Sequence, residues 1–220
     1  ILGTHAHLKR ALTKIPGTNT WFISPYQYLE SISRVELLFD DHKLTHVHGE
    51  LVPVDAKMAL DAKIAERVAS MQRELEADPQ YAALFKPVAR LSKAMSVDEV
   101  AQLAVDVMRE EAKADVALST KSSFRQPLAP GALNLEELRA ALPYDNEIVV
   151  AELDTENLKK IADAFVSGTP SGPRVRVAVT DYMANVAYRE LFAHAKVLRT
   201  GIRVREAVMR RLVSSWPATP

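Results

Sequence analysis

Two histidines near the start of the chain have the residue type and the spacing to hold a metal ion. His5 and His7 lie two residues apart in Gly3-Thr4-His5-Ala6-His7, which follows the apolar pair Ile1-Leu2 and should form a loop beyond a strand. In a loop this spacing lets both imidazoles reach one small volume, and neutral imidazole suits Zn²⁺, Mn²⁺ or Fe²⁺. Taken alone, the pattern also fits two solvent-exposed histidines near a terminus.

The composition restricts the remaining chemistry. The chain has no cysteine, which excludes disulfides, thiolate metal sites and cysteine nucleophiles, so any metal must bind His, Asp, Glu or Asn. Its 28 basic residues balance 28 acidic ones, which disfavours a cationic face for duplex nucleic acid. No apolar run approaches the roughly 20 residues of a membrane span. With 48% hydrophobic residues among 220, one large or two small domains can form a core.

The first part of the chain is predicted to be β-structure followed by a helix. Apolar runs at 20–24, 35–39 and 44–52 indicate a short three-stranded meander. From Ala56 the period changes to that of a helix, with apolar residues at 60, 64, 68, 71 and 75, until Asp78-Pro79 ends it. We expect this helix to bridge two domains. Because Ile1-Leu2 resembles the end of a buried strand, we also expect earlier residues to precede it.

The second part alternates helices and strands. Capping-box patterns at Ser96-Val97-Asp98-Glu99 and Asn134-Leu135-Glu136-Glu137 predict helices, the second ending at Leu142-Pro143. Strands are predicted at 115–118, 147–153 and 174–179, with helices at 155–165 and 204–213. The fold class is therefore mixed α/β.

The stretch from Gly3 to Asp55 resembles the end of the catalytic domain in the 5′-nucleotidase branch of metallophosphoesterases. There, a Gly-His-x-His-type loop precedes strands, an aromatic-rich turn, a strand like Leu37-Leu38-Phe39-Asp40 and a segment like 47–54. The resemblance implies that His5 and His7 are metal ligands and assigns no such role to the other histidines. The chain departs from the family at 27–31, where it has Gln-Tyr-Leu-Glu-Ser and many relatives have Gly-x-Tyr-Leu-Gly.

The second half resembles the C-terminal domain of the same family. Ala114-Asp115-Val116-Ala117-Leu118 precedes a polar loop ending at Arg125, and Leu142-Pro143-Tyr144-Asp145-Asn146 follows a short helix, in the family's order. Later segments at 180–185 and 200–208 also match. The family's Gly-rich Asn-Gly-Gly-x-x-Arg loop is here Thr120-Lys121-Ser122-Ser123, which loses glycine's permissive backbone and gains hydroxyls and an ammonium.

The resemblance implies a set of substrate-binding residues whose types suit a nucleotide. Tyr144 and Tyr182 occupy the family's aromatic positions, and two rings from separate loops can clamp a base, each stack contributing about 1–3 kcal/mol. Arg125 suits a phosphate or carboxylate, and Asn146 suits the edge of a base.

The remaining candidates stand at positions that depart from the family. Thr120 replaces the loop's first Asn, and Asn185 begins the counterpart of a Gly-Gly-Asp segment. The alternative interpretation of the whole set is that both tyrosines are half-buried packing residues and Arg125 is a surface charge.

The expected organisation is the C-terminal part of a metallophosphoesterase sandwich (1–55), a bridging helix (56–80) and a substrate-recognition domain of the 5′-nucleotidase C-terminal type (81–220). The resemblance implies a hydrolase of nucleotides or related phosphoesters, with two divalent metal ions in the complete enzyme and a periplasmic or extracellular location. About four further metal ligands would come from an N-terminal part of the catalytic domain. The alternative is a structural or binding module of a metallophosphoesterase with another substrate.

Overall fold

The computed structural model describes residues 1–3, 8–55 and 57–216 and divides the chain into two compact units, Ile1–Met71 and Gln72–Pro220. Helix α1, Ala62–Ala77, contains the point of division. It is the helix that the sequence predicts after residue 56. Its apolar stripe is exposed, and none of its residues is buried among those described. No helix over the described residues is long and apolar enough to span a bilayer.

The first unit contains two antiparallel hairpins. Strand β1 (Lys9–Lys14) pairs with β2 (Trp21–Pro25), and β3 (Ser31–Asp40) pairs with β4 (Lys43–Pro53). The predicted three-stranded meander is wrong, because β2 pairs with β1 instead of β3. Tyr26, Tyr28 and Leu29 have positive φ angles in the connection between β2 and β3, which turns the chain there.

The start of the chain runs beside β2. Leu2 forms a parallel bridge with Ile23, and the Gly3 N–H donates to the Ile23 carbonyl at 2.8 Å. Ile1 and Leu2 are nevertheless exposed. The strand end that the sequence predicts at Ile1-Leu2 is thus a single β-bridge between Leu2 and Ile23.

The second unit is built on a five-stranded mixed sheet in the order β11-β8-β10-β6-β9, with β5 and β7 forming a separate antiparallel pair. Its strands are β5 (Pro87–Leu91), β6 (Val116–Thr120), β7 (Gly131–Asn134), β8 (Glu147–Asp154), β9 (Ala164–Ser167), β10 (Arg174–Thr180) and β11 (Leu198–Arg203). Its further helices are α2 (Val97–Ala112), α3 (Leu135–Ala141), α4 (Thr155–Leu158), α5 (Arg189–Phe192) and α6 (Val204–Ser215).

The five-stranded sheet buries both of its faces because side chains alternate along each strand. On one face Ile148, Val150 and Ala178 join a core that includes residues of α2, α3 and α6. On the other face Val149, Val177 and Val179 join a second core, to which Leu158 and Phe192 belong. The predicted capping boxes at Ser96 and Asn134 are both present and begin α2 and α3.

The predicted helix at 155–165 is wrong beyond its first turn. Helix α4 ends at Leu158, and the chain reverses at Asp163, whose φ is 57°, to enter strand β9. Leu158 and Ile161 are buried, whereas Phe165 lies on β9 and packs edge-on against Phe124, with the ring centroids 5.6 Å apart. A turn followed by a strand therefore gives these apolar residues a spacing that is typical of a helix. Pairing of β9 with β6 overrides the local preference for a helix.

Gly168, which follows β9, offers a test of this packing. Its φ is +85°, and a Cβ atom would lie 2.2 Å from the Asp115 carbonyl oxygen, whereas Gly172 has its nearest such neighbour at 3.7 Å. We expect Gly168→Ala to lower the free energy of unfolding by at least about 2 kcal/mol, because it combines backbone strain with a clash against main chain. Gly172→Ala, the matched control, should change it by less than about 1 kcal/mol. Denaturant unfolding checks both, and equal stabilities would contradict the described approach of β9 to Asp115.

Candidate functional site

The candidate site lies where the ends of three strands meet at one edge of the sheet. Strand β10 runs parallel to β6 and antiparallel to β8, with Ala178 opposite Ala117 and Thr180 opposite Ile148. The carboxyl ends of β6 and β10 and the amino end of β8 therefore share an edge. Thr120 is the last residue of β6, Asn146 directly precedes β8, and Tyr182 follows β10.

Six side chains from these loops line an open cleft of about 140 Å³. None of them carries a formal charge, and the two tyrosines are each 47% exposed, so their rings are accessible to a ligand. The lining residues are Thr120, Ser122, Ser123, Tyr144, Asn146 and Tyr182.

The loop after β6 presents hydroxyls to the cleft and turns its ammonium elsewhere. The hydroxyls of Thr120 and Ser123 lie 2.9 Å apart, within hydrogen-bonding distance. The Lys121 ammonium pairs with Asp163 at 2.8 Å, and the same hydrogen bond and charge raise the pKa of Lys121. The loop thus offers hydroxyls to a ligand, while its Lys121 ammonium pairs with Asp163 in the turn before β9.

Arg125 lies beside the cleft through its contact with Tyr144. Its Nη2 donates to the Tyr144 hydroxyl at 2.7 Å, and its Cζ lies 5.7 Å from the centre of that ring. Its backbone N–H donates to the Ala141 carbonyl at 3.0 Å, which fixes the start of its side chain. A guanidinium in this position can meet an anionic group at the rim of the cleft.

Asp181 joins the two loops that carry the tyrosines. One of its carboxylate oxygens accepts the N–H of Tyr182 at 2.9 Å and the N–H of Glu147 at 3.1 Å. The buried Glu147 carboxylate accepts in turn from Arg199 Nε at 2.8 Å and from the Gly201 N–H at 2.8 Å. The hydrogen bond from Arg199, then that from Gly201, lowers the pKa of Glu147 and keeps it ionised.

The structure brings together four of the residues that the sequence suggested and separates others. Thr120, Tyr144, Asn146 and Tyr182 line the cleft, and Arg125 contacts Tyr144. Asn185 lies exposed in the π-helical turn Met183–Ala187 and is not among the lining residues. Ser122 and Ser123 also line the cleft, although they are not among the predicted site residues. Their position in a polar loop directly after a buried strand is the sequence feature that indicates a site there.

The two candidate metal ligands, His5 and His7, lie outside the described residues. Within residues 1–3, 8–55 and 57–216, no group of three or more His, Asp or Glu residues is arranged to hold a metal ion. The described residues alone therefore do not fit a metal centre.

Comparison with known proteins gives one family and several similar folds. Residues 77–178 match the family model of the 5′-nucleotidase C-terminal domain. No curated protein matches the sequence.

Among the similar solved structures, the following three each align with nearly the whole of this chain. A 5′-nucleotidase precursor from Thermus thermophilus has a TM-score of 0.71 at 18% identity, covering 98% of this chain and 55% of that one. The sulfate thiohydrolase SoxB of the same organism has a TM-score of 0.69 at 16% identity, covering 98% of this chain and 47% of that one. A 5′-nucleotidase from Candida albicans has a TM-score of 0.67 at 11% identity, covering 96% of this chain and 57% of that one. These likenesses show the fold, and the chain spans about half the length of these proteins.

The Glu147 contact predicts a pH dependence of stability. The pKa of Glu147 is lowered in the folded state. Its contribution to the free energy of unfolding is therefore fully present above the pKa of the unfolded state, about 4.3, and is lost as the pH falls through the lower folded-state pKa. We expect wild-type stability to decline below about pH 4 and Glu147→Gln to show a flatter decline there, together with lower stability at pH 7. Denaturant unfolding at pH 7, 5, 4 and 3 measures this. Glu152→Gln, on the exposed part of β8, is the control and should keep the wild-type profile.

Proposed function

We propose that this chain, whose residues 77–178 match the family model of the 5′-nucleotidase C-terminal domain, is the substrate-recognition part of a 5′-nucleotidase-like metallophosphoesterase. The reaction would be hydrolysis of a nucleotide or a related phosphoester. The observation that carries the proposal is the neutral cleft at the sheet edge, which places Tyr144 and Tyr182 among its six lining residues within or beside the matched domain.

The cleft favours recognition of one planar ring. Its volume of about 140 Å³ is below the roughly 300–1,000 Å³ of pockets that enclose a whole drug-sized ligand. A base would stack on Tyr144 and Tyr182, and the Asn146 amide and the Thr120 hydroxyl would bond its polar edge. Arg125, at the rim beside Tyr144, would meet the anionic part of the substrate outside the cleft.

The metal centre would be shared with another part of the enzyme. His5 and His7 would contribute two imidazole ligands, and the remaining ligands would come from the portion of the catalytic domain that this chain does not contain. The chemistry that two divalent ions held there would supply is activation of a water molecule and neutralisation of the phosphate charge. The contribution of the described residues is to bind and orient the substrate.

The first unit supports the proposal of a complementary catalytic part. Leu37, Leu38, Phe39 and Leu44 are at least half exposed near the tip of the β3–β4 hairpin, and Phe39 reaches 61%. An isolated two-stranded hairpin is at best marginally stable, and a cluster of exposed apolar side chains favours burial against a partner. The similar solved structures are about twice the length of this chain, which allows such a partner within one polypeptide. An exported location, implied by the family, remains part of this proposal.

A second candidate function is a recognition module for a substrate other than a nucleotide. The loop after β6 favours it, because hydroxyls of Thr120, Ser122 and Ser123 line the cleft where relatives have glycines. One similar fold is that of a sulfate thiohydrolase, and a shared fold does not fix the substrate. Hydrolysis by the complete enzyme of phosphoesters that lack a base, with no activity on nucleotides, would favour this candidate.

The tyrosine cleft predicts the behaviour of ring substitutions. Tyr144→Ala and Tyr182→Ala should each weaken the binding of adenosine monophosphate by about 1–3 kcal/mol, because each removes a stacking surface. Tyr182→Phe should bind as the wild type does, since the ring remains. Tyr81→Ala is the matched control, an exposed tyrosine of the same unit that does not line the cleft. Isothermal titration calorimetry measures all four, and wild-type affinity in both Ala variants at the cleft would reject base stacking.

The two histidines predict a loss of metal. In the complete enzyme, His5→Ala with His7→Ala should lower bound metal and phosphoesterase activity together, because each imidazole removed opens a coordination position. His46→Ala with His48→Ala has the same spacing on strand β4 and should leave both quantities unchanged. Elemental analysis beside a phosphate-release assay measures the effect. Full metal content in the His5 and His7 double variant would show that these residues are not ligands.

A further inference from the structure

Residues 203–205, at the junction of β11 and α6, hold the backbone of the loop that carries Tyr144. The Val204 N–H donates to the Asn146 carbonyl at 3.0 Å, and Arg203 Nη1 donates to the Asp145 carbonyl at 2.9 Å. Arg205 donates from Nε to the Leu142 carbonyl at 2.9 Å and from Nη2 to the Pro143 carbonyl at 3.0 Å. Three consecutive residues thus hold four of the five carbonyls from 142 to 146.

Arg205 has the donor geometry for this contact, and little of its side chain is exposed to solvent. Its side chain is 14% exposed, and its Nη1 lies 4.0 Å from the Asp145 carboxylate. A guanidinium presents Nε and Nη donors in one rigid plane, so it can hold two successive carbonyls at once, which a lysine ammonium does not do in fixed geometry. Hydrogen bonds from a charged donor are also stronger than neutral ones.

The loop that is held in this way presents two of the cleft residues. Tyr144 and Asn146 both line the cleft, and the carbonyls that accept from residues 203–205 flank Tyr144 on each side. The Leu142 N–H donates to Leu138 in α3, and the Glu147 N–H donates to Asp181, so both ends of the loop are fixed as well. A backbone fixed at this many points holds the main chain of Tyr144 beside the cleft, and the Arg125 guanidinium contacts its side chain.

We infer that residues 203–205 form a clamp that positions Tyr144 and Asn146 for ligand binding, with Arg205 as its principal positioning residue. Arg205 does not line the cleft and acts through the loop backbone. The inference rests on the proposed function for its ligand, whereas the clamp itself is a property of the free protein. Ordering the loop before binding raises affinity because less conformational entropy is lost on association.

Hydrogen–deuterium exchange and adenosine binding, measured on the same variants of the full chain, test the clamp. Arg205→Met removes the donors while keeping an apolar stem, and Arg205→Lys keeps the charge without the planar fork. In both, the hydrogen-bonded amides of Leu142 and Glu147, at the two ends of the loop, should exchange roughly tenfold faster, and the Kd for adenosine should rise roughly tenfold, as expected for losing charge-assisted hydrogen bonds. Exchange in β8 and β10 away from the loop should be unchanged.

Arg210→Met is the matched control on the same helix. Its guanidinium pairs with Glu111 at 3.2 Å on the surface, so its loss should alter neither loop exchange nor adenosine affinity. Wild-type loop exchange in both Arg205 variants would overturn the clamp. Faster loop exchange with unchanged adenosine affinity would overturn its role in positioning the ligand-binding residues. If the wild-type chain does not bind adenosine, the proposed function and this ligand role fail together, and the exchange comparison still decides whether Arg205 holds the loop.

Discussion

The direction of strand β10 relative to its two neighbours is the constraint on which the candidate site depends. Because β10 is parallel to β6 and antiparallel to β8, the carboxyl ends of β6 and β10 must share a sheet edge with the amino end of β8. The register that places Thr180 opposite Ile148 then brings the loops of Tyr182 and Asn146 together. A shift of one residue would exchange the two faces of β8 and move its side chains from one core to the other.

Charged residues around the cleft serve mainly to fix the loops, and the cleft itself is lined by neutral groups. Lys121 pairs with Asp163, Glu147 with Arg199, and Asp181 accepts two backbone N–H groups from different loops. Asp181 holds main-chain N–H groups of both loops, and the hydrogen bonds from Arg199 and Gly201 lower the pKa of the buried Glu147 carboxylate. A ligand entering the cleft therefore meets aromatic rings, hydroxyls and an amide, with Arg125 beside Tyr144 as the adjacent cation.

The two units differ in how much of their apolar surface they bury. In the second unit, helices and strands enclose two cores on opposite faces of one sheet. In the first unit, Ile23 is the buried apolar residue among those described, and the β3–β4 hairpin exposes apolar residues near its tip. This contrast fits a second unit that buries its own cores and the proposal that further protein covers the first unit. The proposed complementary part of the catalytic domain would meet that need.

The sequence by itself determined the local elements of the second unit and its resemblance to a known family. The capping boxes at Ser96 and Asn134 begin the observed helices, the apolar runs mark β6, β8 and β10, and the family resemblance is confirmed over residues 77–178. Caps and periodicity are local signals, readable from neighbouring residues. Tertiary structure alone decided that 164–167 is a strand, that Lys121 turns toward Asp163, and that Ser122 and Ser123 line the cleft. Each of these outcomes depends on a partner distant in sequence, and no local pattern specifies which strand or carboxylate that partner will be.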